Sequence, residues 1–195
     1  MEGTVDKRDT IVDAACNVLA SRGVARITVA LVAKAARVST ALVHYHFATK
    51  DKLLAAAAEV LARRRTEARV AALVTGQGLS GLDALWDVLA HLPAPERAAA
   101  DLILLAREHP EIRSALQRER QREHAQVATI LPGLFGDPGI PPRLPPEELA
   151  ATVCTFLDGA AASMLAGVPA DDVRASYDVF WLALFALGQA APPAR

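Results

Sequence analysis

An all-α fold is predicted by two features of the sequence. Apolar residues fill 52% of the 195 positions and aromatic residues only 5%, so the core must be mostly alanine, leucine and valine. Alanine and leucine favour helix. Apolar positions also recur at three- and four-residue steps along most of the chain, whereas the alternation of a strand is hard to find. The length admits one domain, or a small module joined to a larger one.

Nine helices follow in order. Ile11, Ala14, Ala15, Val18 and Leu19 predict a first helix that stops at Ser21-Arg22-Gly23. Thr28 is placed to cap a second, which carries Val29, Val32, Ala33 and Ala36. After Arg37-Val38, Ser39 caps a short third helix with Leu42, Val43 and Phe47 as its apolar positions. Thr49 caps a fourth, Lys50 to about Val74, roughly 37 Å long at 1.5 Å per residue. Thr75-Gly76-Gln77-Gly78 breaks the pattern, and Ser80-Gly81-Leu82-Asp83 reads as a capping box opening a fifth helix through Leu92. Pro93 and Pro95 separate it from a sixth, Glu96 to Glu108, which Pro110 ends. A seventh spans Glu111 to Leu131. Six of the twelve prolines crowd into residues 132–146, which predicts a loop. Helices eight, Glu147 to Ala166, and nine, Asp171 to Gln189, complete the fold. The natural seam lies near the start of the fourth helix, giving a head of residues 1–52 and a body of residues 53–195.

Composition narrows the function. The start MEGTVDKRD lacks the apolar stretch of a secretion signal, and the longest apolar run, Val179 to Leu187, is too short to span a bilayer. Cys16 and Cys154 lie far apart in helical patterns, as buried thiols of a reducing compartment do, so a cytoplasmic protein with no membrane partner is expected. Up to Lys52 there are eight bases against five acids, a balance of +3, while the remainder holds 13 bases and 17 acids, a balance of −4. A basic head on an acidic body suits a small polyanion-binding module on a separate partner domain. An enzyme is not expected: there is no Gly-rich phosphate loop, no HExxH and no nucleophile elbow, and no cofactor is implied.

Two short helices joined by a tight turn and braced by a preceding helix make a helix-turn-helix, whose second helix enters the major groove of DNA. With Leu42, Val43 and Phe47 turned inward, Ser39, Thr40, His44 and the Tyr45 hydroxyl are left on the open side, and Ala41 permits close approach. Hydroxyls and imidazoles donate to phosphate oxygens, and Lys50 adds a cation where the fourth helix offers free N–H groups. A metal site is disfavoured, because His44 and His46 point about 200° apart around a helix.

The run Thr28-Val29 … Val32-Ala33-Lys34-Ala35-Ala36-Arg37-Val38-Ser39, continuing through Thr40-Ala41-Leu42-Val43-His44-Tyr45-His46-Phe47 to Thr49-Lys50-Asp51-Lys52-Leu53, resembles the N-terminal module of the tetracycline-repressor (TetR) family. The likeness covers about residues 8–54, and the nine-helix layout extends it over the whole length. It implies an all-α homodimer that binds a roughly palindromic double-stranded operator, usually a repressor released by a small-molecule effector. By position it assigns DNA contacts to Thr28, Ser39, Thr40, Ala41, His44, Tyr45, His46 and Lys50. Three residues depart from the family pattern. Arg37 replaces the turn glycine, so a non-glycine residue is expected at positive φ, with an added phosphate contact as its possible role. Ala41 stands where glycine is common, and His44 where tyrosine is usual.

In the body, helix nine carries Val173, Tyr177, Phe180, Trp181, Leu184 and Phe185, and helix eight carries Leu149, Val153, Phe156, Leu157, Ala160 and Met164. These stripes suit a four-helix dimer interface, or simply the closing of the monomer core. Arg120 and Glu123 interrupt the apolar stripe of helix seven, so they either pair or face a cavity. Trp86, Leu105, His124 and Phe156 join them as candidate effector contacts. Arg63, Arg64 and Arg65 read as a solvated face. The rival to a regulator is a helical carrier or interaction protein whose head no longer binds DNA because Arg37 disturbs the turn.

Overall fold

The computed structural model describes residues 6–76, 79–91, 94–134 and 145–188. Its helices are α1 (Lys7–Arg22), α2 (Val29–Ala36), α3 (Thr40–His46), α4 (Lys50–Thr75), α5 (Leu79–Ala90), α6 (Ala94–Leu105), α7 (Pro110–Ile130), α8 (Pro146–Leu165) and α9 (Ala170–Gly188), with 3-10 turns at Val24–Arg26 and Leu131–Leu134. No strand occurs among the described residues.

Local chemistry sets most of the boundaries. The Asp6 carboxylate accepts from the Arg8 N–H at 3.0 Å and caps α1, which ends at Gly23 with φ 74°. Thr28, Ser39 and Thr49 each accept the N–H three residues on, from Leu31, Leu42 and Lys52 at 3.2, 3.1 and 3.2 Å. Pro110 takes the first position of α7, where its missing N–H leaves no bond unmade.

Two helices differ from the expectation in their boundaries. Helix α5 begins at Leu79, so Ser80 lies inside its first turn, and the Asp83 carboxylate accepts from the Arg174 guanidinium of α9 at 2.7 Å. The backbone packs closely at this corner. A Cβ on Gly81 would stand 2.7 Å from the Leu73 oxygen and collide with the Gly76 carbonyl. Helix α5 ends at Ala90, and Leu92 lies outside the described residues. Helix α6 starts at Ala94, with Pro95 tolerated in its first turn, and ends at Leu105, after which residues 106–108 form a turn. Of the proline-rich segment, residues 135–144 lie outside the described residues.

The chain divides into two compact units. One comprises Met1–Arg65 and Pro93–Arg120, the other Thr66–Leu92 and Gln121–Arg195, so α4 and α7 each contribute to both. The sequence places its seam at residue 52, whereas packing cuts at residue 65. In the first unit Ile11, Leu19, Val32, Val43, Leu53 and Leu102 are buried together, which ties α1, α2 and α3 to α4 and α6. Each such side chain stabilises by about 1.5–3 kcal/mol. The guanidinium of Arg8 sits 5.3 Å from the centre of the Phe47 ring. The second unit closes around Leu85, Leu89, Val153, Leu157, Tyr177 and Trp181. Helix α8 is long and apolar enough to cross a membrane by length and composition, yet Leu149, Val153, Cys154 and Leu157 on it are buried in this core.

Candidate nucleic-acid interface

Helix α3 turns its two sides to different environments. Val43 and the following Phe47 are buried and Leu42 is half-buried, while Ser39, Thr40, Ala41, His44 and Tyr45 are exposed. At 100° per residue, positions 40, 41, 44 and 45 share one side of the helix and 42, 43, 46 and 47 the other. Tyr45 is 82% exposed, although tyrosine normally buries its ring. His46 is half-buried, edge-on to Tyr45 at 5.2 Å and tilted 6.5 Å from Phe47. Thr28, Arg37 and Lys50 are exposed.

The turn before α3 is a Schellman motif. Val38 N–H donates to the Ala33 carbonyl at 3.0 Å and Arg37 N–H to Lys34 at 3.2 Å. This geometry needs a left-handed residue, and Arg37 supplies it with φ 56° and ψ 43°. It is the one non-glycine residue at positive φ among those described. Against glycine the Cβ costs about 1 kcal/mol, yet the turn is fully formed.

At the start of α4, the Asp51 carboxylate and the His109 imidazole meet at 2.9 Å. Lys50 and the backbone N–H groups of that first turn therefore stand beside a carboxylate that already has a partner. Among the described residues, no three His, Cys, Asp or Glu side chains gather as metal ligands.

The six candidate effector residues are divided between the two units. Leu105 and Arg120 fall in the first unit, and Leu105 packs on its core. Trp86, Glu123, His124 and Phe156 fall in the second. There Trp86 and Phe156 meet through Tyr177, at ring separations of 5.3 and 6.4 Å. Glu123 is paired across helices: Arg69 of α4 reaches it at 3.4 Å and Asp158 of α8 at 2.9 Å. His124 is half-buried, with Nε2 lacking a hydrogen-bond partner among the described residues. Arg69, 3% exposed, went unnoticed in the sequence. Nothing in the run Arg63-Arg64-Arg65-Thr66-Glu67-Ala68-Arg69 distinguishes it from its neighbours, of which Arg63 and Arg64 are exposed and Arg65 half-buried.

The apolar stripes of α8 and α9 are divided between inside and outside. Val173, Tyr177, Trp181 and Leu184 are buried within their own unit, as are Leu149, Val153, Leu157 and Ala160. Among the described residues, the large apolar side chains exposed on α9 are Val179, 65% exposed, and Leu182, 70% exposed. Beside them a groove of about 470 Å³ is lined by Phe156, Ala175, Ser176, Val179 and Phe180, with the Phe156 and Phe180 rings stacked at 3.9 Å.

Residues 11–64 match the profile of bacterial regulatory proteins of the tetR family, a span that contains α2, α3 and the start of α4. The N-terminal part of this chain is thus similar to that family's regulatory proteins. No curated protein matches it in sequence. Among solved structures, it is similar to a TetR transcription regulator from Haloarcula marismortui, with 21% identity and a TM-score of 0.73 over 94% of this chain and 99% of that one. A transcriptional regulator from Rhodococcus sp. Rha1 is 21% identical, with a TM-score of 0.70 over 95% and 99%. The multidrug binding protein EbrR, crystallised with imidazole, is 25% identical, with a TM-score of 0.61 over 96% and 98%.

Proposed function

We propose that this protein is a tetR-family transcriptional regulator, a cytoplasmic homodimeric repressor that binds a roughly palindromic operator and leaves it when a small molecule enters the helical body. The observation that carries the reading is the outward polar side of α3, where Ser39, Thr40, His44 and Tyr45 stand exposed on a helix whose other side is buried. Thr28 and Lys50 add a hydroxyl and a cation for phosphates, and His46 and Ala41 complete the contact set. In this division, residues 1–52 read DNA, while residues 53–195 dimerise and bind effector.

The outward Val179 and Leu182 support dimerisation, since an exposed apolar face on a long helix suits a second copy. The crystals of EbrR with imidazole and with ethidium support a small-molecule effector. Effector binding changes operator affinity only as far as it prefers one conformation. A well-formed turn at Arg37 favours the regulator over a carrier with an inactive head.

The test is binding to DNA from upstream of the gene, followed by fluorescence anisotropy over a salt series, with half-sites recovered from a random pool. Specific affinity is expected to fall steeply with salt as phosphate contacts release counterions. A folded protein that retains no DNA from the pool and shows no salt-dependent binding would be a carrier. Replacing both Val179 and Leu182 with Glu is expected to yield monomers in sedimentation. Dimers that persist would move the interface elsewhere.

A further inference from the structure

We propose that Arg37 is a phosphate clamp, kept at a glycine position in spite of its backbone strain because it grips the DNA backbone at the entrance to the recognition helix. This rests on the operator-binding reading above. The Schellman turn from Ala33 to Val38 requires a left-handed residue, and glycine meets that need without a Cβ in the way. An arginine there strains the backbone, so its retention calls for a compensating interaction.

No such interaction lies among the described residues. The Arg37 side chain is exposed and makes no hydrogen bond, ion pair or ring contact with any described residue. Only its backbone N–H is engaged, by the Ala33 and Lys34 carbonyls. Its place in the chain indicates what it meets instead. Arg37 lies two residues before Ser39, whose hydroxyl caps α3, and the open side of that helix carries Thr40, His44 and Tyr45. A guanidinium that opens the groove-facing segment meets the phosphate backbone first. Its planar fork binds two phosphate oxygens at once, which an amide or a lone ammonium cannot do. The contact is with phosphate and carries no base preference.

The clamp predicts opposite effects on stability and on binding from one substitution. In the full-length protein, Arg37→Gly is expected to raise Tm by about 2–4 °C. It should also lower operator affinity roughly tenfold or more, equally on preferred and altered operators. The slope of log affinity against log salt should become shallower by about 0.9 for each head engaged. Arg37→Asn, which tolerates the left-handed conformation, should behave like glycine. Arg37→Lys should keep the wild-type slope with weaker binding and no gain in Tm. Arg37→Gly with wild-type affinity and slope would overturn the clamp, and so would a loss confined to one base pair, which would mark a base contact. If the wild-type protein itself binds no DNA specifically, the operator reading falls first; if it binds and Arg37→Gly matches it, only the clamp falls.

Discussion

Ser39 on α3 and Arg69 on α4 are both polar residues of a helical protein, and they are satisfied in different ways. Ser39 accepts one N–H three residues on, at 3.1 Å, and otherwise faces solvent, as do Thr40, His44 and Tyr45 around it. Arg69 is almost wholly buried and reaches two acids on other helices, Glu123 on α7 and Asp158 on α8. A surface that must meet a polyanion leaves its donors available, with caps that need only local partners. A polar group enclosed among helices has to find its partner when the chain folds, or it stays ionised without compensation.

The sharpest way to break that contrast is to remove the buried cation. Arg69→Met leaves Glu123 and Asp158 with less compensation, and losing one partner of a buried ionic cluster costs about 3–5 kcal/mol. A fall in Tm of roughly 10 °C is expected, measured by thermal unfolding. Adding Glu123→Gln should recover part of it. A single variant as stable as the wild type would show that the cluster contributes no net stabilisation and that the body tolerates apolar packing at this point.

These contacts also mark the limit of what the sequence disclosed. Thr28, Ser39 and Thr49 were readable as caps because donor and acceptor lie three residues apart, and Arg37 as a strained turn because the motif fixes its conformation. The partners of Arg69 lie 54 and 89 residues away, and no local pattern reports them. The start of α5 at Leu79, one residue before Ser80, is a related case: Gly81 packs closely on Leu73 and Gly76 there, and this depends on tertiary geometry. In α9, periodicity identified the apolar positions. It could not say that Tyr177 and Trp181 face their own core while Val179 and Leu182 face outward.

Buried groups also respond to pH where exposed ones need not. Burial pushes the Cys16 thiol up from its ordinary 9.0 to about 11. The unfolded thiol then ionises near pH 9 while the folded one keeps its proton until about pH 11, so the unfolded state binds fewer protons in that window. The contribution is complete below pH 9 and is lost as pH rises through 11, at most roughly 2–3 kcal/mol. Burial raises the Tyr177 phenol in the same direction, beyond its usual range. Chemical denaturation at pH 8 and pH 11 should show Cys16→Ala less stable at the lower pH but losing less on the way up. Parallel declines in wild type and variant would place the titrating groups elsewhere.

The smallest stability effects fall on the surface where the functional effects are largest. Ser39→Ala removes the cap of α3 and should cost about 1 kcal/mol, or 2–4 °C in Tm, along with some affinity for DNA. Tyr45→Phe removes a hydroxyl from a side chain that is 82% exposed, so stability should change by less than about 0.5 kcal/mol. Its cost should appear only in binding, as a similar loss on every operator variant, because the hydroxyl is assigned to phosphate. Thr40→Ala is the complement, changing the ranking of operators more than the mean affinity. If Tyr45→Phe changed preference at one base pair while Thr40→Ala weakened all sequences alike, the roles of the two positions on α3 would be exchanged. That outcome would mean α3 lies in the groove rotated about its axis, with its Tyr45 side towards the bases.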